Sequence, residues 1–378
     1  MKSKREIAQK LLNPSGVVLD GPNPWDPKLH DERVIDRLLA EGPIAVGESY
    51  MDGWWDVEDM AGFTARVMDS DSSSAVYSMQ VLPLIWAVIK ARVVNLQSKK
   101  RAFQVGEEHY DIGNDLYERM LDKRLTYSCG YWSSPTGVAK NLDEAQEAKL
   151  DLICRKIGLK KGDRVLDIGC GWGSFAIYAA EKYGAKVVGV TVSKEQAALA
   201  RERAKGLPVE IRLQDYRAIS DGPYDHVVSV GMFEHVGYKN YRTFFELARK
   251  LLKEDGLFLL HTIGAKETFK FIDPWLDKYI FPNGYVPSAP QITTAADKLF
   301  ILEDWHNFGA DYETTLLAWD KNFERHWPEL KDKYSERFYR MWKFYLLSCA
   351  GSFRARNTLL WQIVLSPKGV KGGYVTVR

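Results

Sequence analysis

The sequence predicts an α/β fold in which helices cover both faces of a mainly parallel sheet, preceded by a smaller helical region. Two observations carry this prediction. First, short β-branched, apolar segments alternate with helical segments from about residue 141 onward, which is typical of parallel strands joined by crossover helices. Second, the segment "VLDIGCGWGSF" at Val165–Phe175 contains three glycines at alternate positions and runs directly into a helix. Such a loop at the carboxyl end of a strand is a usual place for a ligand.

The composition is that of a globular protein: 46% of the 378 residues are apolar and 27% are charged. The formal charge of +2 provides no general attraction for nucleic acid. Four cysteines without a CxxC pair, and a polar start without a signal peptide, predict free thiols in the cytoplasm and no metal site. The most apolar segment, Val81–Val94, is interrupted by Pro83, Lys90 and Arg92 and is too short to span a bilayer.

Residues 1–103 are expected to form a mainly helical N-terminal domain with a linker. The segment "DERVIDRLLAEG" predicts a helix that ends at Gly42. Its apolar residues share one helical face: Val34, Ile35, Leu38 and Leu39. The basic segment Leu96–Phe103 predicts an exposed linker, so a second domain is expected to span residues 104–378.

This second domain is predicted to contain a helix in "NLDEAQEAKLDLICRKIGL", where Asn141 and Glu144 have the spacing of a capping box. Two late strand candidates, Leu299–Trp305 and Leu360–Leu365, are separated by a helical block at Thr314–Leu347. The strands of the central sheet are predicted at Arg164–Ile168, Lys186–Val190, Glu210–Leu213, Asp225–Val230 and Leu257–Thr262.

The glycine loop after the first of these strands is the candidate cofactor site. Its spacing, with Gly169, Gly171 and Gly173, is GxGxG, whereas dinucleotide-binding proteins have GxGxxG; the Lys-Ser/Thr pair of a nucleotide triphosphate loop is also missing. Asp167, just before the loop, suits a ligand that carries an amine or another positive group. These features favour S-adenosylmethionine (SAM); the alternative is a tight strand-to-helix turn without a ligand.

The second strand lacks the acidic residue that usually binds ribose hydroxyls at the strand end. In "KVVGVTVSKEQ" the candidates for this contact are Thr191 and Gln196. Gln196 has an alternative role, because Ser193 and Gln196 have the spacing of an S-x-x-Q capping box. The two roles are compatible, and the spacing alone does not separate them.

Further phrases carry a resemblance to a known family: "LTYSCGYW", "LQDYR", "SVGMFEHVG", "LLHTIG", "DPWLDKYIFPNG", "EDWHNFGADYETTL" and "CAGSFRARN". In this combination the chain resembles bacterial cyclopropane-fatty-acyl-phospholipid synthases from about Gly47 to the C-terminus. The resemblance implies a class I SAM-dependent methyltransferase fold, which is Rossmann-like with a mainly parallel seven-stranded sheet. It also implies methyl transfer from SAM to the cis double bond of an acyl chain in a membrane phospholipid, after which loss of a proton closes a cyclopropane ring.

The resemblance also implies the residues of the site. Cofactor contacts are expected at Tyr127, Ser128, Asp167, Gly169, Cys170, Gly171, Gly173, Thr191, Ser193, Gln196, Gln214 and Asp215. A bicarbonate ion, the proton acceptor in this family, would be bound by Cys129, Glu234, His261, Tyr312 and the backbone of Ile263. Cys349 is a candidate nucleophile by residue type, but the mechanism needs none, so it is interpreted as a pocket residue.

The expected chemistry suits these residue types. Methyl transfer to an isolated alkene makes a carbocation, which water would trap, so the site has to be dry. A protein carboxylate beside this cation could be alkylated, whereas an anion bound by Glu, His and Tyr can take the proton. Glu234 would then be protonated or would accept the hydrogen bond of the bicarbonate hydroxyl. The alternatives are that His261 is a satisfied core histidine, that Glu234 and His235 are an ordinary loop pair, and that Tyr312 only packs.

A substrate inside a bilayer, reached without a spanning segment, implies a peripheral contact with the inner face of the cell membrane. The apolar segment followed by Lys99, Lys100 and Arg101 suits an anionic lipid surface; the alternative is a core helix followed by a solvated linker. The N-terminal region would hold the catalytic domain on the bilayer or pair two chains in a homodimer.

Three other functions are alternatives to cyclopropane formation. An enzyme that makes a methyl-branched acyl chain would share every cofactor residue. A lipid-binding protein without turnover is opposed by the intact set Cys129, Glu234, His261 and Tyr312. A small-molecule methyltransferase does not explain the helical N-terminal region and the basic linker.

Overall fold

The computed structural model describes residues 3–70, 113–134, 137–268 and 273–378, in two compact units. The first unit takes in residues 3–70, 273–282 and 312–358 of this part of the chain, and the second takes in the rest. The predicted boundary at residue 103, the apolar segment Val81–Val94 and the basic residues Lys99, Lys100 and Arg101 lie outside the described residues. Within the described ranges, no helix has the length and apolar character needed to cross a membrane.

The elements are numbered here in chain order. The helices are α1 (Lys4–Leu12), α2 (Arg33–Glu41), α3 (Pro43–Met51), α4 (Met60–Met68), α5 (Asn114–Met120), α6 (Leu142–Lys156), α7 (Ser174–Tyr183), α8 (Lys194–Arg203), α9 (Tyr241–Leu251), α10 (Pro274–Tyr279), α11 (Ala289–Ala296), α12 (Ala310–Leu330) and α13 (Glu336–Arg354). The strands of the main sheet are β1 (Arg164–Ile168), β2 (Lys186–Thr191), β3 (Val209–Leu213), β4 (Tyr224–Val230), β5 (Leu252–Ala265), β6 (Ile301–Asn307) and β7 (Thr358–Ser366). Two short pairs, Lys28–Leu29 with Trp55–Asp56 and Ser133–Ser134 with Gly137–Val138, lie outside that sheet.

The first unit confirms the amphipathic helix predicted near its start. Helix α2 buries Val34 and Ile35, leaves Leu38 and Leu39 half-buried, and ends at Gly42. Gly42 has a φ of +69°, a value that glycine adopts without steric cost, so the residue ends the helix as the sequence indicated.

Two later stretches of the chain, 273–282 and 312–358, also belong to the first unit. This differs from the prediction that residues 104–378 form one continuous domain. The reason is close packing between helices far apart in sequence: a Cβ on Gly351 of α13 would lie 2.5 Å from the carbonyl oxygen of Ala61 in α4. Likewise, a Cβ on Gly47 of α3 would lie 2.4 Å from the indole of Trp275 in α10. Glycines at these positions let late helices contact early ones, which the order of segments alone does not reveal.

The second unit contains the predicted sheet, with seven strands in the order β6-β7-β5-β4-β1-β2-β3. Strands β1, β2, β3, β4 and β5 pair in parallel, and β6 pairs with β7 antiparallel. Every predicted strand is present, although β5 begins at Leu252, five residues before the prediction. One buried cluster includes Phe244 and Phe258, and a separate one includes Ile153 and Phe175. Apolar layers therefore cover the sheet as predicted.

Helix α6 begins with half of the predicted capping box. The Asn141 side chain accepts a hydrogen bond from the Glu144 backbone N–H at 3.0 Å. The Glu144 carboxylate accepts from the N–H of Lys140 at 2.9 Å, one residue before the position that a reciprocal box uses. The helix therefore begins where expected and directs its buried face, which carries Lys149, toward the sheet core.

Candidate active site

The glycine loop lies at the carboxyl end of β1 and has the backbone geometry of a ligand cradle. Gly169, Gly171 and Gly173 all have positive φ, at +86°, +53° and +81°. A Cβ on Gly169 would meet Met232 at 2.5 Å, so that position requires glycine for packing. Gly171 has no atom within 4 Å of a Cβ position among the described residues, so its backbone faces open space. The loop is thus packed on one side and open at its centre, as expected for a loop that a ligand approaches.

Asp167, at the end of β1, is buried beneath this loop. Its Oδ2 atom has no hydrogen-bond partner within the described part of the chain. Burial raises the pKa of this carboxyl to about 7, and the nearby Lys149 ammonium opposes that increase. An orphaned buried carboxylate oxygen at this place suits a ligand with a positively charged amine.

Ser128 is connected to the loop through the same lysine. The fully buried Lys149 ammonium donates to Ser128 Oγ at 2.7 Å, and desolvation lowers the pKa of this lysine to about 8. The carbonyl oxygen of Ser128 accepts from the Gln146 side chain at 2.7 Å. These bonds fix the segment that carries Ser128 and Cys129 against helix α6.

Tyr127 reaches the loop through aromatic packing. Its ring meets Tyr117 edge to face at 5.2 Å between centroids, and Tyr117 packs on Trp172 of the glycine loop at 4.8 Å. Trp172 also donates from its indole to the Asn114 side chain at 3.0 Å. Tyr127, Ser128 and the glycine loop therefore lie together, as the sequence predicted.

The second strand ends in a small hydrogen-bond network. Thr191 Oγ1 donates to the side-chain oxygen of Gln196 at 2.9 Å, and Ser193 Oγ accepts from the Gln196 backbone N–H at 3.3 Å. The capping box is therefore only half formed, because the Ser193 N–H donates to Thr191 Oγ1 and not to Gln196. The Gln196 oxygen is occupied by Thr191, which leaves its amide nitrogen as the group suited to a cofactor hydroxyl.

Gln214 and Asp215 follow β3. The Gln214 backbone N–H donates to the carbonyl of Thr191 at 2.9 Å, which places the segment beside the end of β2. The Asp215 carboxylate caps the next turn and forms an ion pair with Arg217 at 2.6 Å. The structure gives Asp215 this local role, and its predicted contact with the cofactor stays a prediction.

Glu234 lies in the turn after β4 and is buried, which separates it from an ordinary solvated loop residue. Its Oε1 atom accepts from the backbone N–H of Ile263 at 2.7 Å. Its Oε2 atom is buried and has no hydrogen-bond partner in the residues described. Desolvation raises the pKa of this carboxyl to about 7, against the effect of the Ile263 bond. The Ile263 N–H therefore donates to Glu234 in this structure, and its predicted contact with bicarbonate stays a prediction.

His261 lies on β5 in register with Val230, the last residue of β4. The imidazole is fully buried, and burial holds its pKa well below the ordinary value. Its Nδ1 atom is 3.3 Å from the side-chain nitrogen of Gln362, while Nε2 has no partner over the ranges that the structure covers. His261 therefore differs from the alternative of a fully satisfied core histidine, and its predicted role in ligand binding stays a prediction.

The cysteines of the second unit are buried thiols. Cys129 directs its Sγ to the carbonyl of Gly130 at 3.1 Å. Cys170 lies inside the glycine loop and packs against Gly189, where a Cβ would lie 2.9 Å from the Cys170 side chain. Burial raises the pKa of the Cys170 thiol well above its ordinary value, so this residue contributes packing to the loop.

Tyr312 and Cys349 belong to the first unit. The Tyr312 ring stacks on Phe353 at 4.4 Å between centroids and meets Trp319 edge to face. Desolvation raises the pKa of the half-buried Cys349 thiol to about 12, which favours the protonated thiol at neutral pH and agrees with its interpretation as a pocket residue. Their predicted places in the bicarbonate site stay predictions.

Three buried polar residues near these groups were not predicted from the sequence: Gln146, Lys149 and Gln362. The first two lie on the apolar stripe of α6 that includes Leu142, Ala145, Leu150 and Ile153. A lysine within such a stripe indicates a buried polar contact, because lysine is rarely buried without a partner. Gln362 interrupts the apolar run of β7 in the same way.

The sheet order, the open glycine loop and the polar groups at the strand ends are those of a class I SAM-dependent methyltransferase. Solved structures of similar proteins support this fold class. Mycolic acid cyclopropane synthase CmaA1, solved in complex with SAH and CTAB, is 33% identical, covers 70% of this chain and 97% of its own, and superposes with a TM-score of 0.64. Cyclopropane synthase MmaA2 from Mycobacterium tuberculosis is 31% identical, with 72% and 99% coverage and a TM-score of 0.66.

The chain belongs to the mycolic acid cyclopropane synthetase family, whose sequence model matches residues 97–363. Among curated relatives, cyclopropane-fatty-acyl-phospholipid synthase of Escherichia coli (strain K12) is 51% identical over 372 residues. That alignment covers 98% of this chain and 95% of the relative. The family resemblance in the sequence is therefore confirmed.

Proposed function

We propose that this protein is a cyclopropane-fatty-acyl-phospholipid synthase, which adds a methylene unit from SAM to the cis double bond of an unsaturated acyl chain in a phospholipid. The similarity to the Escherichia coli enzyme over nearly the whole of both chains supports this proposal. The structural observation that carries it is the buried pair Glu234 and His261, each with an unsatisfied polar atom. Methyl transfer to an oxygen or nitrogen nucleophile would not by itself require such an anion site.

SAM, when bound, supplies an electrophilic methyl group on its sulfonium. The residues present suit it: Gly171 leaves open space beside the backbone, and Asp167 has an orphaned carboxylate oxygen for the amine. Helix α7, which begins immediately after Gly173, directs free backbone N–H groups toward the loop. Burial of Asp167 and Lys149 keeps this part of the site dry, so their charges act on the cofactor with little screening.

Bicarbonate also suits the residues present. The ion has one hydroxyl donor and several acceptor oxygens, and the structure offers a carboxylate oxygen at Glu234 and a ring nitrogen at His261, both buried and unsatisfied in the described residues. Cys129, also fully buried, is the third group assigned to this site. When bound, the ion would supply the base that takes a proton from the transferred methyl group.

Glu234 has a protonation state suited to this role. With a pKa of about 7, its carboxyl can be ionised or neutral near neutral pH. The ionised form accepts a hydrogen bond from a hydroxyl, and the neutral form donates one to an anionic oxygen. The Ile263 N–H at 2.7 Å fixes one carboxyl oxygen, so the other keeps a constant direction in either state.

His261 contributes a neutral imidazole, because a buried ring with a lowered pKa does not hold a second proton. A neutral imidazole donates from one nitrogen and accepts at the other. The ring therefore orients an anion without adding a full positive charge next to the developing carbocation. Surrounding aromatic side chains, such as Phe308 with its ring centroid 5.8 Å from that of His261, exclude water.

The proposed substrate is an acyl chain of a phospholipid in the bilayer, met by peripheral binding at the inner face of the cytoplasmic membrane. The sequence features that suggested this binding lie outside the described residues. The expectation of peripheral binding follows from the substrate, because a protein that acts on a lipid of the bilayer has to contact the bilayer surface. The homodimer also stays a prediction.

The test incubates purified protein with methyl-labelled SAM and vesicles of unsaturated phospholipid, followed by mass analysis of the released fatty acids. We expect a product heavier by one CH2 with its unsaturation count kept, as a ring requires. A methylene-branched or methyl-branched chain, distinguished by fragmentation, would replace this proposal with that of a fatty acid methyltransferase.

Two variants test the anion site within the same assay. Glu234→Gln and His261→Ala should lose turnover by orders of magnitude and retain SAM affinity. Glu303→Gln on β6 is the matched control, since Glu303 also accepts a backbone N–H bond, from Val370 at 2.8 Å. Removing bicarbonate from the buffer should lower the wild-type rate, and adding it should restore the rate. A rate indifferent to bicarbonate, with both variants active, would exclude this site.

A further inference from the structure

Gln362 is a buried polar residue without a role in the proposed reaction described above. It lies within β7 in the apolar run "LLWQIVL" and is fully buried. Its side-chain nitrogen is 3.3 Å from Nδ1 of His261. Its side-chain oxygen has no hydrogen-bond partner among the residues that the structure describes. Burying an amide inside an apolar strand costs free energy unless hydrogen bonds compensate for the lost contact with water.

The contact with His261 determines where the imidazole carries its proton. The ring is neutral, because it is fully buried and because positive charge on Lys149 and Lys156 opposes its protonation. A neutral imidazole has a single N–H, and the hydrogen bond at one ring nitrogen decides which nitrogen carries it. The Gln362 amide nitrogen is a donor, so Nδ1 is the acceptor and the proton lies on Nε2.

We propose that Gln362 is a positioning residue: its amide donates to Nδ1 of His261 and so keeps an N–H on Nε2, from which the ring binds an anionic oxygen in the active site. This inference rests on the proposed function, in which that anion is bicarbonate. In this proposal Gln362 determines which of the two neutral tautomers the His261 ring adopts.

The opposite arrangement would prevent anion binding. If the Gln362 oxygen faced the ring, Nδ1 would carry the proton and Nε2 would present a lone pair. Two acceptors facing each other repel, and the buried Nε2 has no other donor nearby in the described residues to offset this. The direction of the Gln362 amide therefore decides whether His261 can act at all.

The direct test is the ¹⁵N spectrum of histidine-labelled wild-type protein, with the His261 signals assigned by their loss in His261→Asn. We expect a non-protonated Nδ1 and a protonated Nε2 without added bicarbonate. A protonated Nδ1 in the wild type would overturn the proposal, whatever the variants do.

Two variants separate this role from simple packing. Gln362→Met keeps the length of the side chain but cannot donate, so the His261 tautomers should mix. Gln362→Glu accepts only while its carboxyl is ionised, so at a pH high enough to ionise it the carboxylate should move the proton to Nδ1. Ser366→Ala on the same strand is the control, since it removes two part-buried hydrogen bonds of one side chain: one donated to Glu303 at 2.5 Å and one accepted from the Gly369 backbone N–H at 3.0 Å.

The kinetic readout is the bicarbonate concentration at half-maximal rate. We expect an increase of about tenfold in Gln362→Met, as for the loss of one hydrogen bond, with unchanged SAM affinity and partial recovery of kcat at saturating bicarbonate. An unchanged tautomer and an unchanged half-maximal concentration in both variants would overturn the inference. A wild-type rate that does not respond to bicarbonate would instead exclude the proposed anion, and the ¹⁵N result would still decide the tautomer.

Discussion

Replacing Glu234 by Gln should change how the stability of the protein depends on pH. Burial raises the pKa of this carboxyl from 4.5 to about 7. Because the folded protein then binds the proton more tightly than the unfolded chain does, stability is greatest below the unfolded pKa and falls as pH rises toward the folded one. The full loss is about 3 kcal/mol, of which about 2.5 kcal/mol accumulates between pH 5 and pH 8. Glutamine has no proton to lose, so the variant should lack this loss.

The assay is urea unfolding of the wild type and Glu234→Gln at pH 5 and pH 8, in buffer free of bicarbonate. Subtracting the two proteins cancels the other titrating groups, Asp167 among them. We expect the variant to gain about 2.5 kcal/mol over the wild type between the two pH values. Glu303→Gln provides the control for the substitution itself.

A constant difference between wild type and variant at both pH values would refute this reasoning. It would mean that the Glu234 carboxyl ionises in the folded protein as easily as in water. The burial of Oε2 without a partner would then not describe the protein in solution, and the mechanism assigned to this residue would lose its basis.

Three other predictions concern the cofactor loop and the first unit. Gly171→Val should abolish SAM binding in calorimetry, whereas Gly206→Val, also at positive φ with no atom described within 4 Å, should retain it; equal affinities would remove the loop from the site. Lys149→Met should raise the pKa of Asp167 further. The rise of SAM affinity with pH, expected near pH 7 in the wild type, should therefore move to higher pH. An unchanged midpoint of this rise would contradict the electrostatic interaction of Lys149 with Asp167. Gly351→Ala should lower stability by about 1–3 kcal/mol through overpacking, and an unchanged melting temperature would contradict the close approach of α13 and α4.

The sheet was predictable because its strands are short, apolar and separated by clear helices. The start of β5 was not predictable, because three exposed polar residues occupy it: Lys253, Glu254 and Asp255. Such residues are typical of a turn. Their strand geometry comes from pairing with β4, for example Tyr224 with Leu252, which is a tertiary contact. Local propensity does not contain that information.

The polar partners of the site were harder to predict than the site itself. Glu234 follows the end of β4 and His261 lies in register with the last residue of β4, so both are close to the sheet edge where the fold class puts functional residues. Lys149 and Gln362 lie within apolar segments, and the role of each depends on which side chain of another element it contacts. Lys149 meets Ser128 from 21 residues away, and Gln362 meets His261 from 101 residues away. Only the folded chain brings these pairs together.

The first unit is assembled from chain segments that the ribosome makes far apart in time. Helix α4 ends at Met68, and its partner α13 begins at Glu336. At about 5–20 residues per second, synthesis of the intervening chain takes on the order of 10–50 s. During that interval the face of α4 at Ala61, which later contacts Gly351, lacks its final neighbour. Nascent chains stalled before residue 336 should therefore bind chaperones through this face and release them once α13 has emerged.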